Sequence, residues 1–123
     1  MQFKLQNTIP TSYIECTSPE IIIQNETDIL DLIAQCLEND TNRIMLYEHN
    51  FAPAFFDLET GLAGLLFQKF ANYGIKAAVL ITLINIKSER FKELIFEHNK
   101  SNLFRFFDCE TEGKENAETW LTQ

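Results

Sequence analysis

The chain has 123 residues, of which 46% are hydrophobic and 23% are charged, and these are the proportions of a folded domain. Its formal net charge is −8, with 10 Lys and Arg against 18 Asp and Glu, so it lacks the basic surface that binds nucleic acids or acidic membranes. We therefore expect one domain over residues 1–123, with proteins or small molecules as partners.

The three cysteines, Cys16, Cys36 and Cys109, are far apart and form no C-x-x-C motif, so neither a disulfide framework nor a zinc site is expected. The first residues lack the basic start and apolar run of a signal peptide. No window reaches the ~20 apolar residues of a membrane span. The sequence thus predicts a soluble, cytoplasmic protein without metal, cofactor or membrane contact.

Alternating polar and apolar residues predict two strands, over 2–6 and 12–16, joined by a turn in the Asn- and Pro-containing segment 7–11. The β-branched run 21–24 then predicts either a strand or an extended approach to a helix.

Asn25 is a candidate N-cap, and Asp28 stands at the capping-box position. Apolar residues recur behind them at helical spacing, which predicts an amphipathic helix over 26–38. A compact apolar strand is predicted next, over 43–48.

A second helix is predicted from about Thr60 to Tyr73, after a short turn that begins at Pro53. The almost continuously apolar run 76–83 is typical of a central strand that is covered on both faces.

Ser88 is expected to cap a third helix that extends to about Lys100, and a strand over 104–109 and a short helix over 114–121 complete the chain. Strands separated by helices imply crossover connections and a largely parallel sheet. The predicted fold class is α/β, with a mixed, mostly parallel sheet of four to five strands and about four helices.

The common enzyme motifs are missing. The sequence has no glycine-rich phosphate loop, no G-x-S-x-G nucleophile elbow and no H-E-x-x-H. It therefore identifies no catalytic residue, and we favour a non-enzymatic role.

Two Glu-His-Asn triplets are candidates for a polar ligand pocket. The first follows the strand 43–48, at the end of the strand where open parallel sheets bind ligands. The second triplet lies at the end of the third helix. Its alternative interpretation is that it only ends that helix with polar groups. If both triplets met near Asp57, the pocket would comprise Glu48, His49, Asn50, Asp57, Glu97 and His98.

The stretch FFDLETGLAG, residues 55–64, precedes the second helix. Thr60 could cap the exposed N–H groups of that helix, or it could hold a phosphoryl group there. Gly61 would let another backbone approach closely. The candidate contact residues are Asp57, Glu59, Thr60 and Gly61. The neighbouring Phe51, Phe55 and Phe56 either pack in the core or supply apolar contacts to a partner.

The run from strand 43–48 through the second helix to strand 76–83 resembles the STAS domain of anti-sigma-factor antagonists and sulfate-transporter tails. That family carries Asp-Ser-Ser-Gly-Leu at the start of a comparable helix, and its second serine is a phosphorylated switch. Thr60, Gly61 and Leu62 match the phosphoacceptor, glycine and leucine, whereas Leu58 and Glu59 replace the aspartate and the first serine. The resemblance implies a phosphorylation-sensitive interaction module.

Three longer stretches, IIIQNETDILDLIAQC, FFDLETGLAGLLFQKFANYGIK and FEHNKSNLFRFF, resemble an uncharacterised bacterial family, the domain-of-unknown-function family number 4180. This resemblance covers nearly the whole chain and implies a fold without an assigned activity.

Two functions follow as hypotheses. The first is a non-enzymatic regulatory or protein-interaction module, whose contact surface is the 49–64 loop and helix start. The alternative is a small-molecule-binding protein or enzyme that uses the polar groups at the end of strand 43–48. Self-association into a homo-oligomer is compatible with either hypothesis.

Overall fold

The computed structural model describes residues 3–6, 12–17 and 22–123. Its strands are Phe3–Gln6 (β1), Tyr13–Cys16 (β2), Arg43–Tyr47 (β3), Lys76–Ile81 (β4) and Phe104–Asp108 (β5). Its α-helices are Glu26–Glu38 (α1), Leu62–Asn72 (α2), Glu89–His98 (α3) and Gly113–Leu121 (α4). The turn predicted over 7–11 lies outside the described residues.

The five strands form one sheet in the order β1-β2-β3-β4-β5. β1 pairs antiparallel with β2, whereas β2 to β5 are parallel to one another. The helices α1, α2 and α3 each connect two parallel strands that are neighbours in the sheet. The predicted α/β class, with a mixed, mostly parallel sheet, is confirmed.

Side chains alternate between the two faces of the sheet, and each face has its own core. On one face, Ile44 and Leu46 of β3 lie in the larger core with the buried residues of α1, α2 and α3. On the other face, Met45 packs in a smaller core with Ala117, Trp120 and Leu121 of α4. β4 contributes to both cores, so the prediction of a central strand covered on both faces is confirmed.

The caps of α1 and α3 follow the sequence signals. Asn25 Oδ1 accepts a hydrogen bond from the Asp28 N–H at 3.0 Å, and Asp28 Oδ2 accepts one from the Gln24 N–H at 2.9 Å. Ser88 Oγ likewise accepts from the Phe91 N–H at 3.1 Å. The bonds from the Asp28 and Phe91 N–H groups satisfy donors that the first turn of a helix leaves unpaired.

The segment 21–24 is not a strand of the sheet in its described part. Ile23 instead forms an isolated parallel bridge with Phe51. Its N–H donates to the Asn50 carbonyl at 2.6 Å, and its carbonyl accepts from the Ala52 N–H at 3.1 Å. The approach to α1 is thereby tied to the loop that follows β3.

The C-terminal end of α4 is held by cationic side chains from the starts of three strands. Lys76 Nζ donates to the Trp120 carbonyl at 2.7 Å and lies 4.5 Å from the centre of the Trp120 ring. Arg105 Cζ lies 5.1 Å from the same ring centre, and Arg43 donates to the carbonyls of Leu121 and Gln123. Cations at this end of a helix complement its macrodipole.

Candidate functional site

A cleft lies at the edge of the sheet where β3, β4 and β5 end. At this edge the chain forms three short 3₁₀ turns, Glu48–Asn50, Leu83–Asn85 and Cys109–Thr111. Two adjoining cavities, of about 490 and about 320 Å³, share Glu48, Pro53 and Phe56 as lining residues. We call this pair the strand-end cleft, the larger cavity its first lobe and the smaller its second lobe.

The two lobes differ in composition. The first lobe is mainly aromatic and aliphatic, and it is lined by Tyr47, Glu48, His49, Phe51, Pro53, Phe56, Leu80, Ile81, Thr82 and Cys109. The second lobe adds the charged residues Asp57 and Lys87, and it is lined by Glu48, Pro53, Phe56, Asp57, Asn85, Ile86, Lys87 and Ser88. Of the six candidate pocket residues, the structure thus brings Glu48, His49 and Asp57 to one cleft.

Glu48 is the polar side chain common to both lobes. It is half-buried, and its Oε1 atom accepts a hydrogen bond from the Thr82 backbone N–H at 2.8 Å. This bond joins the residue after β3 to the residue after β4. The carboxylate is therefore held in place between the two strand ends.

His49 and Asn50 have different surroundings. His49 is exposed, and its ring stacks on that of Tyr47, with centroids 5.5 Å apart and planes 13° apart. Asn50 is buried, and its Oδ1 accepts from the Tyr47 N–H at 2.8 Å. Asn50 therefore shapes the turn after β3 and is not among the lining residues of either lobe.

Glu97 and His98 lie at the opposite edge of the sheet. The His98 ring centre is 4.0 Å from that of Phe67 and 5.9 Å from that of Phe104, which begins β5. Glu97 forms an ion pair with Lys100 at 3.5 Å. The reason is topological: α3 begins beside the cleft at Ser88 and runs back antiparallel to the strands, so its end is carried away from the cleft. The second triplet thus does not join the pocket proposed from the sequence.

Thr60 is exposed and its hydroxyl is engaged with backbone groups. Oγ1 lies 2.6 Å from the Ala54 carbonyl oxygen and 2.9 Å from that of Asp57, and it accepts from the Leu62 N–H at 3.3 Å. Thr60 ends a 3₁₀ turn, Leu58–Thr60, and α2 begins at Leu62, two residues later than the sequence suggested. Phosphorylation of Thr60 stays a prediction.

Gly61 is the N-cap of α2, and its φ is +78°. This is the left-handed region, which favours glycine over residues with a Cβ atom. A Cβ atom added there would meet nothing within 4 Å, so the close approach of another backbone is not the reason for the glycine. Beside it, the exposed Asp57 accepts from the Glu59 N–H at 3.1 Å and faces the second lobe.

The three phenylalanines of this region divide between core and cleft. Phe51 and Phe55 are 6% and 0% exposed, and their ring centroids lie 4.2 Å apart. Phe56 is only partly buried, packs against the same core and lines both lobes. Phe56 is therefore the member of this group that a bound partner would contact most.

Two weak acids of the first lobe stay protonated near neutral pH. Burial, followed by a hydrogen bond to the Glu15 carboxylate, raises the pKa of Tyr47. Partial desolvation of the Cys109 thiol, followed by the negative charges of Asp108 and Glu48, raises the pKa of Cys109. Both groups therefore line the lobe in their neutral forms.

The described residues form neither a metal-ligand cluster nor a membrane-spanning helix. Residues 3–6, 12–17 and 22–123 contain no group of three or more His, Cys, Asp or Glu side chains placed to hold a metal ion. Within those same ranges, no helix is long and apolar enough to cross a membrane.

Residues 8–121 match the family described as Domain of unknown function (DUF4180). The chain belongs to this family. Comparison with curated proteins and with solved structures gave no match. The similarity to STAS domains accordingly stays a prediction.

Sequence reasoning missed several cleft residues of this DUF4180 domain, namely Pro53, Thr82, Lys87 and Cys109 as lining groups. Thr82 and Cys109 each directly follow a strand of the structure, and both fall at the ends of the strands predicted over 76–83 and 104–109. Because parallel strands end at one edge, the residue after each strand is the signal that could have found them.

Proposed function

We propose that this DUF4180 domain is a non-enzymatic interaction module that binds a partner protein through the strand-end cleft. The observation that carries the proposal is the cleft itself. It lies where parallel sheets bind ligands, and it brings Glu48, His49 and Asp57 together above an aromatic floor. The exposed residues Glu59, Thr60 and Gly61 continue the surface along the 49–64 loop.

The two weak acids of the first lobe support binding over catalysis. Tyr47 and Cys109 both have raised pKa values, so neither supplies an anionic nucleophile near neutral pH. One oxygen of Glu48 already accepts from the Thr82 N–H, which gives that carboxylate a structural task. These groups are suited to holding a ligand in a fixed orientation.

A second candidate function is the binding of a small molecule in the first lobe. Its volume of about 490 Å³ supports this candidate, because small-molecule pockets span roughly 300–1,000 Å³. The two candidates differ in how much surface they need. A small molecule would contact the first lobe alone, whereas a partner protein would also cover the 49–64 loop.

A cytoplasmic location is part of the proposal. It is supported by Cys36 and Cys109, whose thiols are free. Cys16 and Cys36 are buried, and burial raises the pKa of Cys36 to about 12. Reduced thiols of this kind are typical of a reducing compartment.

Peptide display tests the proposal. A library of random linear peptides is selected on the whole chain and then rescreened on Glu48→Gln/Asp57→Asn, which keeps hydrogen-bond acceptors but removes both cleft charges. We expect the double variant to weaken the binding of the selected peptides about tenfold. The control variant Glu97→Gln, at the opposite edge of the sheet, should leave their binding unchanged. Selection of no peptide, or of peptides indifferent to the cleft variant, would overturn the proposal.

A further inference from the structure

The lining of the first lobe is suited to binding a long, flexible side chain. Pro53, Phe56, Leu80 and Ile81 give it apolar sides that a methylene stem can cover. Ile81 is buried, and Phe56 is partly buried, so these walls are fixed by the core beneath them. The question is what group such a stem carries at its end.

The charge of the lobe is negative. Apart from the weak acids Tyr47 and Cys109, the ionisable side chains that line the lobe are Glu48 and His49. The Glu48 carboxylate is held in place by the Thr82 N–H. The negative charges of Asp108, Glu48 and Glu110 all contribute to raising the pKa of the Cys109 thiol, which faces the lobe. Lys87 lines only the second lobe, and its Nζ points to the Ile84 carbonyl at 3.3 Å.

One wall of the lobe is a stacked aromatic pair. The rings of Tyr47 and His49 are stacked with planes 13° apart, and the Tyr47 hydroxyl donates to the Glu15 carboxylate, which fixes the ring. A planar guanidinium stacks on such a surface while it bonds a carboxylate, whereas an ammonium acts as a compact point charge.

The rim of the cleft indicates a protein as the source of that group. Leu83 and Ile84 follow Thr82, which lines the first lobe, and precede Asn85, which lines the second, and they are 40% and 69% exposed. An apolar pair at the rim would be covered by residues that flank the bound side chain, and a free small cation would leave it in water. The chain's net charge of −8 also favours a basic partner.

We propose that the first lobe binds an arginine side chain of a partner protein, with the guanidinium against Glu48 and the Tyr47–His49 pair and the flanking apolar residues over Leu83 and Ile84. This inference rests on the proposed function and names the chemistry of its partner.

Four blocked pentapeptides test it, Ala-Leu-X-Leu-Ala with X as arginine, citrulline, lysine or glutamate. The binding of each peptide to the whole chain is measured from the changes in the amide chemical shifts of the cleft residues. Citrulline has the shape of arginine without its charge. We expect the arginine peptide to bind about tenfold more tightly than the citrulline peptide, with lysine intermediate and glutamate weakest.

The variant Glu48→Gln should weaken the arginine peptide about fivefold to tenfold and leave the citrulline peptide unchanged, whereas Glu97→Gln should affect neither. Citrulline binding as tight as arginine binding, or indifference to Glu48→Gln, would overturn the inference while the proposed function stands. Free arginine binding as tightly as the peptide would overturn the assignment to a partner protein. If peptides of every charge leave the cleft amides unmoved, and display selects none, both proposals fail.

Discussion

The Thr82 backbone N–H donates to Glu48 Oε1 at 2.8 Å. Thr82 follows β4 and Glu48 follows β3, so one side chain closes the gap between two neighbouring strand ends. The same carboxylate lines both lobes of the strand-end cleft. Glu48 therefore has a structural role and a place in the proposed binding site, and these two roles can be separated by mutation.

Glu48→Ala should destabilise the protein by about 1–2 kcal/mol, because it leaves the Thr82 N–H without its acceptor. Glu48→Gln keeps an acceptor oxygen and should lose less than half as much. Urea unfolding of the two variants and the wild type measures both effects. Equal stability of Glu48→Ala and the wild type would show that the hydrogen bond contributes nothing.

Gly113→Ala should destabilise the protein by about 1–3 kcal/mol. A Cβ atom at this position would lie 2.4 Å from the Asp108 carbonyl oxygen, so α4 would have to move away from the end of β5. The matched control is Gly64→Ala in α2, where an added Cβ would meet nothing within 4 Å. The control should be neutral or stabilising by up to about 1 kcal/mol, because alanine favours helix. Thermal unfolding would contradict this account if both variants behaved alike.

Acid should weaken the fold through His98. Desolvation beside Phe67 and Phe104 lowers the pKa of His98 below its ordinary value of 6.5. Below pH 6.5 the unfolded chain therefore binds a proton that the folded chain resists, and stability falls as the pH drops through the folded pKa. Below pH 6.5, we expect the free energy of unfolding of His98→Phe to depend less on pH than that of the wild type. An unchanged slope in that variant would assign the pH dependence to other groups.

The elements of the fold could be predicted because their signals are local. The apolar run that begins at residue 76 is too long and too apolar for an edge strand, and Asn25 and Ser88 lie directly before helical repeats. The ends of β3, β4 and β5 were predicted one or two residues late. After β4 the reason is that the 3₁₀ turn Leu83–Asn85 begins with the same apolar residue types as the strand. Periodicity cannot separate the two.

The site could be predicted only in part. Glu48 and His49 follow a strand and so fall at the correct edge, as the topology of a parallel sheet requires. Glu97 and His98 repeat the same residue types, but their helix carries them to the other edge. Residue type alone does not carry that information. Thr60 was predicted to meet the unpaired N–H groups at the start of α2, and its hydroxyl does accept from the Leu62 N–H at 3.3 Å. The same hydroxyl also bonds to the carbonyls of Ala54 and Asp57, through a turn whose geometry the sequence does not reveal.

Amide chemical-shift mapping with a display-selected peptide tests the central claim most directly. Binding through the strand-end cleft predicts shifts at Glu48, Thr82 and Cys109 and none at His98, which lies at the opposite edge. Shifts around His98 or along the outer face of α1, at Leu30 and Leu37, with none in the cleft, would contradict it.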